Sequence, residues 1–577
     1  MRLCGRLAAM AFLVLAAPSA SSAQEHFDLL IRGGRVIDGT GNPWFYANVG
    51  IRDGKIVAVG PLDGATADRT LDATGKVVSP GFIDLHSHAG DQRGGVSPRR
   101  SLSDRDVRSR SAPNLIAQGA TTLVVNQDGR SPWPIRDQIQ TYRDRGTGPN
   151  TAVLIGHGRV RSMVMGDDFR REATADEVVA MGELVRQAME EGAYGMSAGH
   201  EYSPMIWSTT DEVVSLVEEV APYQGIYIVH ERSSGAEPMW WWPSQDEPGA
   251  PTMLDAVMET IEVAERTGVT SVQTHLKARG ANFWGSGEAI IGLIQRARDR
   301  GVNIWADAYA YNTTGSDGRT VLIPQWVRRL ATREATGNGG VDYAATLRSV
   351  LETPTEEAMV REDIRHEMLR RGDAENILVL NHPDTSFVGK TLRDLAVEAG
   401  VSTVDMAIKL QLEGDAHQPG GARLRGFSLS EVDLENFYAQ PWVATASDAG
   451  ITMPGDGPTH PRYYGNFPRK IRRYAIERGI VTVEGAIRSM TSLPAQILGL
   501  RDRGMIREGN WADIVVLDLG TIRDKATALD PHQYPEGIEH VLVNGEFVIE
   551  NGEHTWALPG MVLTPADKDP RPVMEQG

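Results

Sequence analysis

Residues 79–93 read Ser-Pro-Gly-Phe-Ile-Asp-Leu-His-Ser-His-Ala-Gly-Asp-Gln-Arg. Pro80 and Gly81 interrupt regular structure, and the apolar run after them predicts a short buried strand. His86 and His88 follow two residues apart, so their side chains point to the same side of the strand end. Two imidazoles on one side of a strand end form half of a metal site. The stretch therefore predicts a metal centre that other parts of the chain complete.

The pattern Pro-Gly-Phe-Ile-Asp-X-His-X-His begins at residue 80 and follows a glycine-rich region that reads as β-structure. In its residues and in its place along the chain, it resembles the first-strand motif of the amidohydrolase superfamily. The resemblance implies a (β/α)8 barrel that holds one or two metal ions at the C-terminal mouth of its strands.

The chain of 577 residues is too long for one ordinary core, and its content of 41% hydrophobic and 23% charged residues is globular. One large barrel with an appended domain fits this chain length, because a barrel with insertions can exceed about 400 residues. We expect an α/β fold, with a TIM-like (β/α)8 barrel over residues 80–496. Residues 24–79 and 497–577 are expected to form a small β-sandwich domain. A mainly helical insertion, a lid or an edge wall, is expected near residues 316–425.

The two chain ends share β-like patterns. Short strand-like runs and tight turns fill residues 27–78, where Asp53-Gly54 is a strong hairpin signal. Residues 512–517 are strand-like again, and Asn544-Gly545 predicts a second hairpin. Two β-rich pieces that flank a long α/β middle predict one sandwich built from both termini.

Apolar strands alternate with helical segments in the middle of the chain, as a parallel barrel requires. Residues 174–191 have the apolar period of a helix, and Thr174 with Glu177 predicts a capping box. The predicted strands are 121–125, 152–155, 195–197, 226–230, 271–275, 303–306 and 443–447.

Residues 1–23 have the pattern of a secretory signal peptide, with an arginine-containing start, an apolar stretch and small residues for cleavage. The apolar stretch is too short for a membrane span, and the alternative is a disordered or buried N-terminus. We therefore expect a periplasmic or secreted protein. The single cysteine, Cys4, lies in this segment, so the mature chain would have no disulfide and no thiolate ligand.

The formal net charge is −18. An acidic surface disfavours nucleic acid and anionic membranes as partners, and abundant surface carboxylates more often only keep a protein soluble. The expected partner is a small molecule, with no nucleic acid and no membrane, and homo-oligomerisation stays open.

Side chains with metal-binding atoms follow several of the predicted strands. Barrel enzymes place catalytic groups at the C-terminal ends of their strands, so these side chains would meet at one mouth. A single histidine at a strand end is more often a packed or hydrogen-bonded residue, and only the joint pattern indicates a metal site. The predicted ligands are His86, His88, Asp128, His230, His275 and Asp448.

Nearly the whole mature chain, from about residue 28 to 563, resembles one branch of this superfamily, the D-aminoacylase or N-acyl-D-amino-acid deacylase branch. The matching stretches are residues 81–88, 156–158, 192–202, 229–232, 274–277, 307–311, 447–448, 460–469 and 490–509.

The resemblance assigns two metal positions and implies one or two Zn²⁺ ions. His86, His88 and Asp448 would hold one position, and His230 with His275 would hold the second, tighter one. The branch has a cysteine in the tight position, where this chain has Asp128. A carboxylate is a normal zinc ligand and could bridge two metals, although it is a harder ligand than a thiolate. The alternative for Asp128 is a turn residue before Gly129.

The chemistry expected of such a site is amide hydrolysis. A bound metal lowers the pKa of a water towards about 7 and polarises the amide carbonyl. Asp448, as the catalytic residue, would take the proton of that water and pass it to the leaving amine.

The resemblance implies that Lys277, Tyr309 and Arg462 bind the α-carboxylate of an N-acyl amino acid. Without the resemblance, each cation could equally form a surface salt bridge, and the tyrosine could equally belong to the core. Arg232 is a weaker candidate that either binds substrate or only orients its neighbours. His157 reads as structural or pocket-lining. Three successive tryptophans, Trp240–Trp242, either form a wall over the substrate or pack on the insertion.

The sequence therefore predicts a zinc-dependent hydrolase of N-acyl-D-amino acids. The first alternative is a related amidohydrolase that cleaves dipeptides or other N-acyl amides, including those of L-amino acids, because chirality depends on pocket shape. A deaminase fits the Lys277, Tyr309 and Arg462 set less well. A non-catalytic binding protein is the remaining alternative, and the intact ligand set argues against it.

Overall fold

The computed structural model describes residues 25–90, 100–315, 320–335 and 340–568. The predicted signal peptide, residues 1–23, lies outside these ranges. No helix within them is both long enough and apolar enough to span a bilayer.

The N-terminal part of the chain forms strands joined by tight turns. Asp53 and Gly54 turn the chain between the second and third strands, and their φ angles of 51° and 73° are those of a two-residue hairpin turn. The strands are β1 (His26–Val36), β2 (Phe45–Arg52), β3 (Lys55–Gly60), β4 (Thr66–Asp72) and β5 (Val77–Pro80).

Short buried strands then pair in parallel around a barrel. They are β6 (Phe82–Asp84), β7 (Ala120–Val125), β8 (Asn150–Val153), β9 (Ile155–Gly156), β10 (Gly195–Gly199), β11 (Ile226–His230), β12 (Thr270–Gln273) and β13 (Ile304–Ala308). β8 and β9 share one barrel position, because β8 pairs with β7 and β9 pairs with β10. Leu154, which separates them, is buried.

Helices connect these strands. The predicted capping box of Thr174 and Glu177 is confirmed at the start of the longest of them. They are α1 (Val107–Arg110), α2 (Pro113–Ile116), α3 (Ile135–Arg145), α4 (His157–Met165), α5 (Ala175–Glu190), α6 (Thr210–Glu218), α7 (Met253–Thr267) and α8 (Gly287–Asp299). Short 3₁₀ turns lie at Met205–Trp207 and Ala221–Tyr223.

An insertion with its own apolar core separates β13 from the last barrel strand. Its helices are α9 (Gln325–Glu334), α10 (Tyr343–Leu351), α11 (Pro354–Arg370), α12 (Leu392–Ala399) and α13 (Thr403–Glu413). Its antiparallel hairpin joins β14 (Ile377–Asn381) to β15 (Arg423–Gly426), and 3₁₀ turns lie at Ala374–Asn376 and Thr385–Phe387. The predicted insertion is therefore mainly helical, as expected.

The last barrel strand, β16 (Val443–Thr445), follows helix α14 (Glu431–Tyr438) and pairs in parallel with β13. A parallel bridge between Ser87 and Ala449 then joins this end of the chain to the end of β6. The barrel is thereby closed. The remaining helices are α15 (Arg462–Arg469), a π-helix (Lys470–Glu477), α16 (Val483–Met490) and α17 (Ser492–Leu498).

The C-terminal part returns to the N-terminal strands. Its elements are β17 (Ile514–Leu517), β18 (Ile538–Val543), β19 (Glu546–Glu550), β20 (Glu553–His554), β21 (Val562–Leu563) and a 3₁₀ turn (Pro565–Asp567). β17 pairs with β5, which gives a nine-stranded sheet in the order β20-β19-β18-β17-β5-β1-β2-β3, with β4 beside β1. Apolar residues from both chain ends share one core, including Val49, Ile514 and Leu542. The predicted fold class, a barrel with a β-sandwich from both termini, is confirmed.

The insertion is anchored to the barrel through α11. Arg370, at the end of that helix, donates hydrogen bonds to the backbone oxygens of Pro238 at 2.9 Å and Trp241 at 3.1 Å. Its guanidinium also lies 4.9 Å from the ring centre of Trp242, which is buried. Two of the three successive tryptophans therefore contact the insertion, which is one of the two arrangements expected from the sequence.

Glu367 binds Arg370 on the same helix and Arg371 directly after it, and we expect Glu367→Gln to destabilise the protein at neutral pH. Burial raises the pKa of Glu367, but the two arginines outweigh it and bring the pKa to about 2. Because the folded-state pKa lies below the value of about 4.3 in an unfolded chain, this stabilisation is present above pH 4.3 and is lost towards pH 2. Removing one partner of such a buried pair costs about 3 kcal/mol.

Urea unfolding at pH 7 and at progressively lower pH tests this expectation. The difference between wild type and variant should be largest at pH 7 and should shrink below about pH 4. Glu362→Gln is the matched control, since Glu362 lies on the same helix and is exposed. A pH-independent difference would show that the effect is not due to the charge of Glu367.

Candidate metal centre

The predicted ligands come together at one end of the barrel. Each lies at or just after the C-terminal end of a barrel strand, where the chain leaves the sheet and side chains turn inward. Their donor atoms form groups that lie within 4.8 Å of one another. The groups are His86 with His88 and Asp128, His86 with His275 and Asp448, and Asp128 with His230 and His275.

One half of the centre joins the first and last barrel strands. The Nε2 atoms of His86 and His88 are 3.3 Å apart. The Oδ1 atom of Asp448 lies 2.9 Å from His88 Nε2 and 3.6 Å from His86 Nε2. These three side chains therefore present two nitrogens and one oxygen to a common point.

The other half of the centre is formed after β7, β11 and β12. His230 Nδ1 and His275 Nε2 are 2.9 Å apart, and Asp128 Oδ1 is 3.9 Å from His230 Nδ1. The same carboxylate also reaches the first half, because its Oδ1 is 3.6 Å from His86 Nε2 and its Oδ2 is 3.7 Å from His88 Nε2. Asp128 thus lies between the two halves.

Three of these residues have a left-handed backbone that non-glycine residues seldom adopt. The φ angle is 58° at Asp128, 37° at His275 and 50° at Asp448. Such a conformation costs about 1 kcal/mol or more for each residue and persists only when the surrounding structure enforces it. In each case it turns the chain sharply at the strand end, which directs the side chain into the mouth.

Buried carboxyl groups hold the ligands from behind. Thr274 Oγ1 contacts His86 Nδ1 and donates to Asp307 at 2.8 Å, and His275 N donates to the same carboxyl at 2.6 Å. Asp84 accepts from Ser447 N at 2.9 Å. Burial raises the pKa of both Asp84 and Asp307 to about 7.

Two glutamates that the sequence analysis missed orient the histidines of the second half. Glu201 accepts from His230 Nε2 at 3.1 Å, and Glu231 Oε2 is 3.4 Å from His275 Nδ1. Each glutamate therefore fixes one ring so that the opposite nitrogen faces the centre. Burial raises the pKa of Glu201, but Arg279 and His230 outweigh it and bring the pKa to about 2.

Two of the predicted substrate-binding residues contact ligands of the centre, and a third lies beside them. Lys277 Nζ contacts His275 Nδ1 and is 3.3 Å from Glu231 Oε1. Arg462 Nη2 is 3.0 Å from Asp448 Oδ2, and its guanidinium lies 4.6 Å from the ring centre of Tyr309. The three side chains are buried and surround the same mouth.

The remaining predictions are placed elsewhere. Arg232 donates two hydrogen bonds to Glu259, at 2.9 Å and 2.7 Å, so its guanidinium is bound to helix α7 rather than to the ligands. This contact suits an orienting residue better than a substrate ligand. His157 is buried, and its Nε2 is 2.8 Å from Glu212 Oε1, which agrees with its structural interpretation.

The donor set suits a divalent cation. Asp128 Oδ1 is buried, and among the described residues it has no hydrogen-bond partner, which is costly unless a cation occupies the space before it. Burial lowers the pKa of His86 well below its usual value, so its ring is neutral and can offer a lone pair. Burial raises the pKa of Asp448, but Arg462 and His86 hold it well below its usual value. Nitrogen and carboxylate donors of this kind bind zinc and other first-row metals.

The barrel and its converging ligands define a metal-dependent barrel hydrolase. A family model described as an amidohydrolase family matches residues 69–549. The chain belongs to the amidohydrolase family.

Relatives confirm the resemblance to the D-aminoacylase branch. An N-acyl-D-glutamate deacylase of Alcaligenes xylosoxydans xylosoxydans is 31% identical over 547 residues, which are 90% of this chain and 93% of the relative. A D-aminoacylase of the same organism is 29% identical over 94% of this chain and 98% of the relative.

Solved structures agree with the sequence relatives. A crystal structure of D-aminoacylase has a TM-score of 0.69 at 29% identity and covers 93% of this chain and 100% of that one. The N-acyl-D-glutamate deacylase from Bordetella bronchiseptica, complexed with zinc and a phosphonate mimic of the tetrahedral intermediate, has a TM-score of 0.70 at 28% identity. It covers 94% of this chain and 100% of that one.

We expect His230→Ala to lower the amount of metal that the purified protein retains, because it removes one of the nitrogens facing Asp128. Elemental analysis after dialysis measures the metal directly. His417→Ala is the control, since His417 is exposed and lies in the insertion. Equal metal contents in His230→Ala and wild type would contradict the assignment.

We also expect Glu201→Gln to weaken metal binding without removing a ligand. The amide keeps the size of the side chain but loses the charge that orients His230. Such a change typically lowers metal affinity by roughly 10- to 100-fold. Competition with a chromogenic chelator measures the affinity. Glu247→Gln, in an exposed loop position, should leave it unchanged.

Proposed function

We propose that this protein hydrolyses the amide bond of N-acyl-D-amino acids with one or two bound zinc ions. The observation that carries the proposal is the convergence of four histidines and two aspartates on one mouth, around a carboxylate oxygen of Asp128 that has no hydrogen-bond partner among the described residues. The relatives named N-acyl-D-glutamate deacylase and D-aminoacylase support the substrate class. The zinc-complexed structure supports the choice of metal.

The metal would be held by His86, His88 and Asp448 in one position and by His230 and His275 in the other, with Asp128 between them. A divalent cation in such a site lowers the pKa of a water towards about 7 and polarises the substrate carbonyl. Asp448 would take the proton of the attacking water on its Oδ1 or Oδ2 atom and return it to the departing nitrogen. An amine leaves poorly without that proton, so one carboxylate serves both steps.

Arg462 couples substrate binding to the basicity of Asp448. In this structure, the Arg462 guanidinium lies 3.0 Å from Asp448 Oδ2 and contributes to the depressed pKa of that aspartate. A substrate α-carboxylate that binds Arg462, Lys277 and Tyr309 would compete for this guanidinium. The pKa of Asp448 would then rise, and the carboxylate would become a better base when substrate is bound.

Asp128 adapts the centre to a ligand set without sulfur. Its Oδ1 atom lies 3.6 Å from His86 Nε2 in one half and 3.9 Å from His230 Nδ1 in the other, so this side chain would contribute to both metal positions. A carboxylate oxygen is a harder ligand than a thiolate, so it would lower the preference of the site for zinc over other first-row metals.

A related hydrolase of dipeptides or of N-acyl-L-amino acids remains the second candidate, because the same residues would bind any α-carboxylate. We further propose that residues 1–23 direct the protein to the periplasm or the medium, on the signal-peptide pattern of that segment.

The deciding experiment measures amine release from paired D- and L-N-acetyl amino acids by the zinc-loaded protein. We expect amine release from the D-series only. The release should be lost when a chelator removes the zinc and should return when zinc is restored. Release from the L-series at an equal rate would replace the proposal with the second candidate. Absence of release from both series, with zinc bound, would contradict it.

A further inference from the structure

The two glutamates that orient histidines of the metal centre are each paired with a cation, and the two cations differ in their other contacts. Lys277 pairs with Glu231 and also contacts His275, one of the predicted ligands. Arg279 Nη2 lies 3.3 Å from Glu201 Oε1, and within the described parts of the chain no hydrogen bond or ion pair joins Arg279 to a ligand. Arg279 is therefore connected to the metal centre through Glu201.

The two carboxylate oxygens of Glu201 have different partners. Oε2 lies 3.1 Å from His230 Nε2 and accepts from Ser234 Oγ at 2.8 Å. Oε1 accepts from Met239 N at 2.8 Å and from Arg279 Nη2. One oxygen therefore orients the histidine, while the other oxygen is held by the surrounding chain.

Arg279 also holds the segment that supplies a neutral donor to Glu201. Its Nη2 atom donates to Glu237 O at 3.2 Å, two residues before Met239. Its backbone nitrogen donates to Ser234 O at 2.9 Å, and this contact does not depend on the side chain. A substitution of Arg279 would therefore remove the two contacts of the guanidinium and keep the backbone contact.

The guanidinium of Arg279 compensates the buried charge of Glu201. The side chains of the two residues are 4% and 0% exposed. A carboxylate is costly to bury unless a cation and hydrogen bonds accompany it, so Glu201 would turn away from His230 if Arg279 were removed. A carboxylate behind a metal-binding histidine fixes the ring and makes it a stronger ligand.

We propose that Arg279 is a positioning residue of the metal centre, which holds Glu201 against His230 and thereby raises the affinity for a divalent cation. The proposal rests on the metal centre of the proposed function and not on its substrate. Because the binding of metal alone tests it, loss of Zn²⁺ affinity on substitution of Arg279 would support the inference even if no N-acyl-D-amino acid were hydrolysed. That second result would refute the proposed function alone.

The test measures the Zn²⁺ affinity of the full chain by competition with a chromogenic chelator, without substrate. We expect Arg279→Met to lower the affinity by roughly 10- to 100-fold, the range for groups that orient a metal ligand. Arg279→Lys should recover part of this loss, because it keeps the positive charge. An affinity of Arg279→Met equal to that of wild type would overturn the proposal.

Arg503→Met is the matched control. Arg503 is as buried as Arg279, with 4% of each residue exposed, and it forms an ion pair with the buried Asp513. Its substitution should lower stability in urea unfolding but leave the Zn²⁺ affinity unchanged. An equal loss of affinity in both variants would assign the effect to general destabilisation and would overturn the role of Arg279.

A double substitution separates an effect through Glu201 from an independent effect. In the Glu201→Gln background, Arg279→Met should change the Zn²⁺ affinity by no more than about twofold, because the carboxylate that Arg279 holds is already absent. A larger further loss would show that Arg279 acts independently of Glu201 and would overturn the proposal. If Arg279→Met does not fold, Arg279→Gln is compared in the same two backgrounds by the same criteria.

Discussion

The contact between the first and last barrel strands controls the position of half of the metal centre. Asp448 N donates to the backbone oxygen of His86 at 2.9 Å, and His88 N donates to Ala449 O at the same distance. Behind them, the Asp84 carboxyl accepts hydrogen bonds from the backbone nitrogens of both His86 and Ser447. His88 and Asp448 are 360 residues apart in the chain. This contact holds His88 Nε2 and Asp448 Oδ1 at 2.9 Å from each other. The ligand geometry is therefore a consequence of barrel closure.

Around this contact, charged side chains of the centre orient and neutralise one another. His230 is oriented by Glu201 and His275 by Glu231, and each glutamate is in turn neutralised by a buried cation. Glu201 also accepts a hydrogen bond from Met239 N, in the loop whose oxygens bind the insertion helix through Arg370. Because an unpaired charge is costly in a buried site, replacing one of these charged groups destabilises the group that it pairs with.

The ligands could be predicted because each follows a buried strand, and parallel strands bring their C-terminal ends to one mouth. Glu201 was missed because its partners are distant in sequence: Arg279 lies 78 residues away, and only folding reveals the contact. Its position directly after a strand was the one available signal. Arg232 also follows a strand, but its guanidinium binds Glu259 of helix α7 and not the metal centre. The left-handed backbone at Asp128, His275 and Asp448 could not be predicted, because aspartate and histidine adopt it more often than most residues but only where the surrounding structure enforces it, as the barrel does here.

The pairing of β5 with β17 has a consequence for the order in which the protein assembles. Ser79 and Val515, which meet across these strands, are separated by 436 residues. At ordinary rates of synthesis, the N-terminal strands wait roughly 20 to 90 s for their partner. During that time the edge of β5 is unpaired and able to bind other chains. The β-domain is thus completed only after the barrel has been synthesised, and the edge of β5 stays open until β17 follows it.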